Sequence, residues 1–178
     1  MRPSAKDALV TGAVELVREA GYEALTFEAL TARTGLSRSG IVYHFAQREL
    51  LVEAVCARLA ADWEQEIAGH LEVPADEATA LERARAFLAA AIDPADPARL
   101  LLRAGPTVRA LARNPWGAVL ERWAPLPGEG EDPALAAELV ELRTLAEGCA
   151  VRHALEETPF DERALAHLRD RARGDAGS

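Results

Sequence analysis

The residues Thr26–Phe45, TFEALTARTGLSRSGIVYHF, are predicted to form two short helical segments separated by a tight turn that contains Gly35. Leu30 and Thr31 are expected on the inner side of the first segment, and Ile41 on the inner side of the second. Gly35 falls where the chain must reverse, and glycine adopts a positive φ there at no steric cost. This spacing predicts a helix-turn-helix, which limits the fold to helical architectures at this end of the chain.

The second segment keeps polar or small side chains on its outer side. Thr26 and Ser37 precede the two segments, and a hydroxyl in that position accepts from the free N–H groups of a helix start. The outward residues are Arg38, Ser39, Gly40, Tyr43 and His44. A helix edge of this kind fits the major groove of DNA. An ordinary corner between two helices of a bundle would show the same spacing, but the outward polar groups favour DNA.

The rest of the chain shows helical periodicity and no sustained alternation of apolar and polar residues. One helix is expected to end at Gly21, in the left-handed region. Asn114-Pro115 reads as a cap followed by proline, which predicts a new helix at Trp116. The helices predicted outside the helix-turn-helix are 4–20, 48–70, 76–92, 97–104, 116–123, 133–157 and 161–173. The chain is therefore predicted to be all-α, with about nine helices.

The net charge of −9 is unevenly distributed along the sequence. Residues 1–50 carry six basic and six acidic side chains, so the whole excess of negative charge lies in residues 51–178. A neutral N-terminal part can still hold phosphates, but long-range attraction to DNA will be weak. Affinity for DNA should therefore depend on dimerisation.

Several classes of protein are not expected from this sequence. No run of residues approaches the roughly 18–20 apolar positions that cross a membrane. The start MRPSAKDALV lacks the apolar core of a secretory signal, so a cytoplasmic protein without membrane contact is expected. Cys56 and Cys149 are far apart and predicted to be reduced. No metal-ligand, cofactor or catalytic motif appears, so neither a metal, a cofactor nor an enzymatic activity is expected.

The first fifty-odd residues resemble the TetR family of transcriptional regulators, through the segments AGYEALT, ARTGLSRSGIVYHF and QRELL. The resemblance implies phosphate contacts from Thr26, Tyr43 and His44. It places Arg38 and Ser39 at the start of the recognition helix, where base contacts are made. The candidate DNA-binding residues are Thr26, Ser37, Arg38, Ser39, Gly40, Tyr43, His44 and Arg48.

This sequence departs from the family pattern at three positions of that domain. Arg48 stands where the family usually has lysine, and with the helix N-terminus it would bind a phosphate. Val42 replaces a frequent tyrosine, so one DNA contact is expected to be missing. Gly40 replaces a Thr, Ala or Asn and lowers helix stability by about 1 kcal/mol relative to Ala.

All three tryptophans lie outside the helix-turn-helix. They either fill a core or form the wall of a cavity for a small, largely apolar effector. Arginine and histidine side chains could meet a polar group of such a ligand. The candidate effector-pocket residues are Trp63, Phe87, Arg103, Trp116, Trp123, Cys149 and His153.

The C-terminal segment LAEGCAVRHALEETPFDERALAHL resembles the last two helices of the same family, which form its dimer interface. Gly148 lies in the middle of a predicted helix, where glycine is disfavoured unless something approaches closely. Packing within one chain remains the alternative. The candidate interface residues are Leu135, Leu139, Leu142, Ala146, Gly148, Leu165 and Leu168.

These observations predict a helix-turn-helix DNA-binding domain at 1–47, a larger helical effector-binding and dimerisation domain at 48–173 and a disordered tail at 174–178. The expected function is a homodimeric regulator, most simply a repressor released from a palindromic operator by the effector. Two alternatives stay open: a DNA-binding dimer without an effector, and a helical interaction module that does not bind DNA.

Overall fold

The computed structural model describes residues 4–92, 100, 104–155 and 160–174, and these contain helices and no strand. One turn of 3₁₀ helix covers Tyr22–Ala24. The α-helices are α1 (Ala5–Ala20), α2 (Phe27–Thr34), α3 (Arg38–His44), α4 (Arg48–Ala68), α5 (Ala80–Ala91), α6 (Pro106–Trp123), α7 (Pro133–Leu155) and α8 (Glu162–Arg173). The predicted all-α fold is confirmed. The helix predicted at 97–104 and the tail beyond residue 174 lie almost entirely outside the described residues.

The predicted helix start at Trp116 is wrong, because Pro115 lies inside α6. A proline removes the hydrogen bond from its own nitrogen to the carbonyl four residues earlier and usually kinks or ends a helix. Here Val108 and Ala112 are buried before the proline, and Val119 is buried after it. Tertiary packing on both sides therefore holds the helix together through the proline.

Local capping explains two further boundaries. Thr79 and Glu82 form a reciprocal capping box, so α5 begins at residue 80 and not at 76. Gly21 ends α1 as expected, but its φ of 77° and ψ of 175° lie outside the left-handed helical region that we predicted. Gly35 does adopt that region, with φ 70° and ψ 4°, at the end of α2. Gly35 therefore makes the chain reversal inside the helix-turn-helix that its position in the sequence predicts.

The N-terminal helices α1, α2 and α3 enclose a small apolar core against the first half of α4. Leu9, Ala13, Val17, Leu30 and Ile41 are fully buried there. Below them, α4 continues into the larger helical body, where its Trp63 and Ile67 are buried as well. The buried side chains of both regions form one continuous cluster. The N-terminal unit, which we call the head, is therefore joined to the body through a single shared helix.

The body consists of α5, α6, α7 and α8. The first half of the chain contributes α4, which packs along α6, while α5 packs against α7 and α8. None of the described helices combines the length and apolar character that crossing a bilayer requires.

Two glycines inside helices have opposite surroundings, and this difference generates a prediction. A Cβ at Gly12 would lie 2.9 Å from Thr34 Cγ2 and 3.3 Å from Arg33 Cγ, whereas a Cβ at Gly117 would meet nothing within 4 Å. Gly12→Val should destabilise the protein by about 1–3 kcal/mol, because α1 cannot move away from α2 without opening the head core.

The matched substitution Gly117→Ala should stabilise the protein by up to about 1 kcal/mol through helix propensity. Chemical denaturation of both variants measures the two effects. An unchanged free energy of unfolding for Gly12→Val would show that the contact between α1 and α2 is looser than described.

Candidate functional site

The exposed edge of α3 is set by its N-terminal cap. Ser37 has an extended backbone, and its Oγ accepts a hydrogen bond from the Gly40 N–H at 3.2 Å. The same oxygen lies 3.0 Å from Ser39 Oγ. A Cβ at Gly40 would come no closer than 3.4 Å to Ser37 Oγ, so glycine is not demanded there by space. The helix start thus presents two linked hydroxyl groups and an uncrowded backbone.

The residues that follow are partly in the core and partly in solvent. Ile41 is fully buried and anchors α3, while Tyr43 is 85% exposed. His44 lies edge-on to the Tyr43 ring, with 5.1 Å between ring centroids. The phenol and the imidazole therefore share one outer surface at the end of α3. Val42 is also exposed there, at the position where the family pattern frequently has tyrosine.

Arg38, the expected base-reading residue, is engaged within the head. Its Nη1 forms an ion pair with Glu28 Oε1, and both side chains are mostly exposed. The guanidinium also lies 5.9 Å from the centroid of the Phe27 ring. A hydrogen bond to its own backbone, and then Arg38, lower the pKa of Glu28, so the carboxylate is charged at neutral pH. One guanidinium nitrogen of Arg38 is therefore engaged by a charged partner within the head.

The starts of α2 and α4 both offer hydrogen-bond donors. Thr26 Oγ1 accepts from the Ala29 N–H at 3.1 Å, which leaves the hydroxyl proton free to be donated to a phosphate. Gln47 precedes α4 without giving a side-chain cap, so the first N–H groups of that helix have no side-chain acceptor from it. Both features are donors of the kind that bind phosphate oxygen.

Arg48 is placed differently from the expectation. Its Nε donates to the Leu25 carbonyl at 2.9 Å, and its Nη2 donates to the Tyr22 carbonyl at 2.7 Å. The side chain is half-buried between α4 and the 3₁₀ turn. One edge of the guanidinium is therefore directed into the head.

The other basic side chains of the described head also have internal partners. Arg33 pairs with Glu19 and, at 3.3 Å, with Glu15, which ties α2 to α1. Arg18 pairs with Asp62 of α4 at 3.0 Å. Lys6 Nζ lies 5.7 Å from the centroid of the Phe45 ring. The head consequently offers hydroxyl and N–H donors at its exposed edge more than unpaired positive charge.

In the body, the structure brings together three of the candidate pocket residues. The Trp63 ring centroid lies 5.1 Å from that of Phe87 and 4.9 Å from that of Trp116. All three residues are buried, with at most 6% of their surface exposed. The indole N–H groups of Trp63 and Trp116 have no hydrogen-bond partner in the described part of the chain. Buried tryptophan N–H groups usually find one, so this pair is a place where an acceptor would be stabilised.

The remaining candidate pocket residues lie in other surroundings. Trp123 is buried and its indole N–H donates to Glu64 Oε1 at 3.0 Å. His153 contacts the Ile92 carbonyl at 3.2 Å through Nε2, and its ring packs edge-on against Phe160. Cys149 lines a groove on the α7 and α8 face. Arg103 lies outside the described residues.

The candidate interface residues divide into two groups. Leu139, Leu142, Ala146 and Leu168 are buried inside the same chain, and Leu135 and Leu165 are partly buried. Gly148 is exposed, and a Cβ there would meet nothing within 4 Å. A second stripe on α7, offset from the predicted one, is exposed and bears Val140, Thr144, Gly148, Val151 and Leu155.

From the sequence only Gly148 of that exposed stripe is predicted at the interface, although the spacing of the stripe is helical. The positions follow at intervals of four, four, three and four residues, which is one face of a helix. Part of the stripe borders a groove of about 370 Å³, together with Leu145, Arg152, Phe160 and Leu168. The two apolar stripes of α7 therefore face in different directions, one into the chain and one out of it.

The N-terminal part of the chain matches a known protein family. Residues 9–55, from within α1 to the first turns of α4, match the family model of bacterial regulatory proteins, tetR family. No curated protein matches the sequence at a significant level. The resemblance of the N-terminal segment to this family is confirmed, and with it the assignment of α2 and α3 as a DNA-binding helix-turn-helix.

Solved structures share the fold of the whole chain. The multidrug binding protein EbrR in complex with malachite green gives a TM-score of 0.61 at 19% identity, covering 96% of this chain and 98% of EbrR. EbrR in complex with imidazole gives 0.58 at 22% identity, covering 96% of each chain. A TetR family member from Streptomyces coelicolor A3 gives 0.59 at 19% identity, covering 95% and 98%. The body helices, like the head, thus share the fold of these structures.

The ion pair between Glu28 and Arg38 should limit the affinity of the head for duplex DNA. Glu28→Gln should strengthen duplex binding a few-fold, because it frees Arg38 and removes a negative charge from the exposed edge. Arg38→Ala should weaken binding by ~1–3 kcal/mol at the sites it reads. Fluorescence anisotropy with labelled duplex measures both effects.

Glu23→Gln is the matched control, since Glu23 is an exposed carboxylate of the head without a place in this ion pair. An equal gain from Glu23→Gln and Glu28→Gln would mean that net charge alone, and not the release of Arg38, sets the affinity.

Proposed function

We propose that this chain is a member of the tetR family of bacterial regulatory proteins and acts as a homodimeric transcriptional repressor that a small effector releases from its operator. The observation that carries the proposal is the exposed polar edge of α3, on a head that the family model matches. Members of the family are transcriptional regulators and not enzymes, and the same is proposed for this chain.

The head supports a defined division of DNA contacts. Thr26 and Tyr43 present free hydroxyl groups, and His44 lies beside Tyr43, so these residues contact phosphates. Arg38 and Ser39 open α3 and contact base edges in the major groove. Ser37 caps the helix, and Gly40 lets the backbone approach the DNA closely.

A second copy of the chain is the proposed partner of the exposed stripe on α7. Val140 and Val151 are each more than 40% exposed and Leu155 is 78% exposed, although all three are apolar. Gly148 between them offers a backbone surface that another helix can approach closely. A two-fold axis through this stripe and α8 would pair the stripe with itself. The two heads would then contact successive turns of a roughly palindromic operator.

The aromatic cluster is the proposed effector site. Trp63 belongs to α4, so a ligand among Trp63, Phe87 and Trp116 acts on the helix that joins body and head. One structural neighbour, the multidrug binding protein EbrR, holds malachite green, which is an aromatic dye. The two unpartnered indole N–H groups add a chemical requirement, which is an effector with a hydrogen-bond acceptor on an aromatic body.

Release from DNA requires that the effector bind one body conformation more tightly than the other. A ligand shifts a conformational equilibrium only by its differential affinity for the two states. An effector that separates Trp63 from Trp116 tilts α4 and changes the distance between the heads, while the α7 and α8 face stays paired.

A DNA-binding dimer without an effector is the second candidate function. The close packing of the three aromatic rings favours it, since rings 4.9 to 5.1 Å apart fill a core without a ligand. A helical module that does not bind DNA is disfavoured by the match to the regulatory family.

Dimerisation and operator binding are tested together with Val151→Asp. A charge on the exposed stripe should dissociate the dimer and weaken binding to a duplex selected from genomic fragments by the wild-type protein. Leu126→Asp is the matched control, because Leu126 is 65% exposed but lies in the loop before α7. Sedimentation gives the mass and anisotropy gives the affinity.

Circular dichroism should show unchanged helix content in both variants, since neither residue is buried. If the Val151→Asp protein stayed dimeric, the exposed stripe on α7 would not be part of the dimer interface. A wild-type dimer that binds no duplex at low salt would remove DNA binding from the proposal.

The effector chemistry is tested with quinoline and naphthalene, which share a shape but differ by one acceptor nitrogen. Calorimetry should show quinoline binding about 2–12-fold more tightly, as one net hydrogen bond of ~0.5–1.5 kcal/mol requires. The preference should disappear when Trp63 and Trp116 are both replaced by Phe.

Trp123→Phe is the control, because its N–H already has Glu64 as a partner, and it should keep the preference. Saturable binding of neither probe would favour the regulator without an effector. Equal binding of both probes would retain an apolar site but reject the indole contacts.

A further inference from the structure

We infer that Arg48 is a positioning residue that holds the connection between α1 and α2 against the start of α4, and that it does not bind DNA phosphate. The inference rests on the proposed function in one respect, since what Arg48 positions is the DNA-contacting edge of the head. It assigns to Arg48 a role different from the one that the sequence suggests.

The geometry of the guanidinium carries the inference. Nε and Nη2 lie on one edge of the planar group and donate to two carbonyls, those of Leu25 and Tyr22. These residues precede Arg48 by 23 and 26 positions, so the contact closes a long stretch of chain. Hydrogen bonds from a charged donor are stronger than neutral ones. A phosphate could bind without displacing either carbonyl only at Nη1 and the second hydrogen of Nη2.

The Tyr22 carbonyl belongs to the 3₁₀ turn that leads into the helix-turn-helix, and Leu25 directly follows that turn. The Leu25 N–H donates to the Tyr22 carbonyl at 3.2 Å, so Arg48 and Leu25 share that acceptor. Leu25 is fully buried and directly precedes Thr26, the cap of α2. The position of the Thr26 hydroxyl relative to the N-terminus of α4 therefore depends on the Arg48 contact.

Two other contacts hold the same elements together. The Tyr22 ring is buried, and its hydroxyl lies 3.8 Å from Cys56 Sγ on α4. Further along α4, Asp62 accepts from Arg18 of α1 at 3.0 Å and from Arg58 at 2.7 Å. The head is thus attached to α4 at three levels, of which the Arg48 contact is the closest to the DNA-facing edge.

Lysine separates the two possible roles of Arg48. An ammonium group keeps the charge and binds phosphate well as a point charge. It cannot reproduce two parallel donors at the fixed spacing of a guanidinium edge. A phosphate-binding residue should therefore tolerate Arg48→Lys, whereas a positioning residue should not.

The experiment compares Arg48→Lys and Arg48→Met with the wild-type full chain, with and without DNA. Without DNA, both variants should lower Tm by roughly 4–8 °C, as the loss of two net hydrogen bonds in a chain of this size requires. Hydrogen exchange of the Leu25 and Thr26 amides should become faster in both. Arg113→Met, an exposed arginine of α6, is the control and should change neither quantity.

With the duplex selected by the wild-type protein, both variants should bind more weakly at every salt concentration. The slope of log affinity against log salt concentration should stay that of the wild type. Each lost phosphate contact would instead reduce the slope by about 0.9.

The inference would be overturned if Arg48→Lys kept the wild-type Tm, amide exchange and affinity while Arg48→Met reduced the salt slope by about one contact. If the wild-type protein bound no duplex, the proposed function would fail, and the Tm and exchange measurements would still decide the role of Arg48.

Discussion

The burial of one face of α4 is the interaction on which the rest of the structure depends. Leu51 and Val55 close the core of the head, and Trp63 and Ile67 enter the core of the body on the same helix. A helix of 21 residues is about 30 Å long, so it spans both units without a linker. Moving the head independently of α4 would expose apolar surface at a cost of about 25 cal/mol per Å². A rotation of α4 must therefore carry the head with it.

The charged side chains of the head act mainly to hold its helices in place and only secondarily to recognise a ligand. Arg33 joins α2 to α1, Arg18 joins α1 to α4, and Arg48 joins α4 to the turn between α1 and α2. The net negative charge of the chain lies in the residues after 50, since acidic and basic side chains balance in residues 1–50. Exposed ion pairs of this kind contribute little stability each, but together they fix the relative orientation of short helices. The DNA recognition that we propose, by hydroxyl and N–H donors, needs such a fixed geometry, because these groups would attract DNA only at contact distance.

The sequence predicts those features that depend on local chemistry. The chain reversal at Gly35 needs a left-handed backbone that glycine adopts most easily. The hydroxyl groups of Thr26 and Ser37 fix the starts of the two helices, so a few residues are enough to predict the helix-turn-helix. Pro115 illustrates what local chemistry does not determine, since burial of side chains in α6 outweighs the missing hydrogen bond. The partners of Arg48 lie more than twenty residues away, and no pattern in the sequence brings a guanidinium to two particular carbonyls. Apart from Gly148, the exposed stripe on α7 was missed because a neighbouring stripe has the same spacing.

The two stripes of α7 connect dimerisation with regulation in the proposed repressor. The inner stripe, with Leu139 and Leu142, belongs to the core of its own chain, so each body is a packed unit before a partner arrives. The outer stripe, with Val151 and Leu155, remains for the partner. The aromatic cluster joins α4 to α5 and α6, and none of its three rings lies on α7. A ligand that displaces α4 can therefore act on the heads while it leaves the surface between the two bodies unchanged, which is the separation that release of an intact dimer from DNA requires.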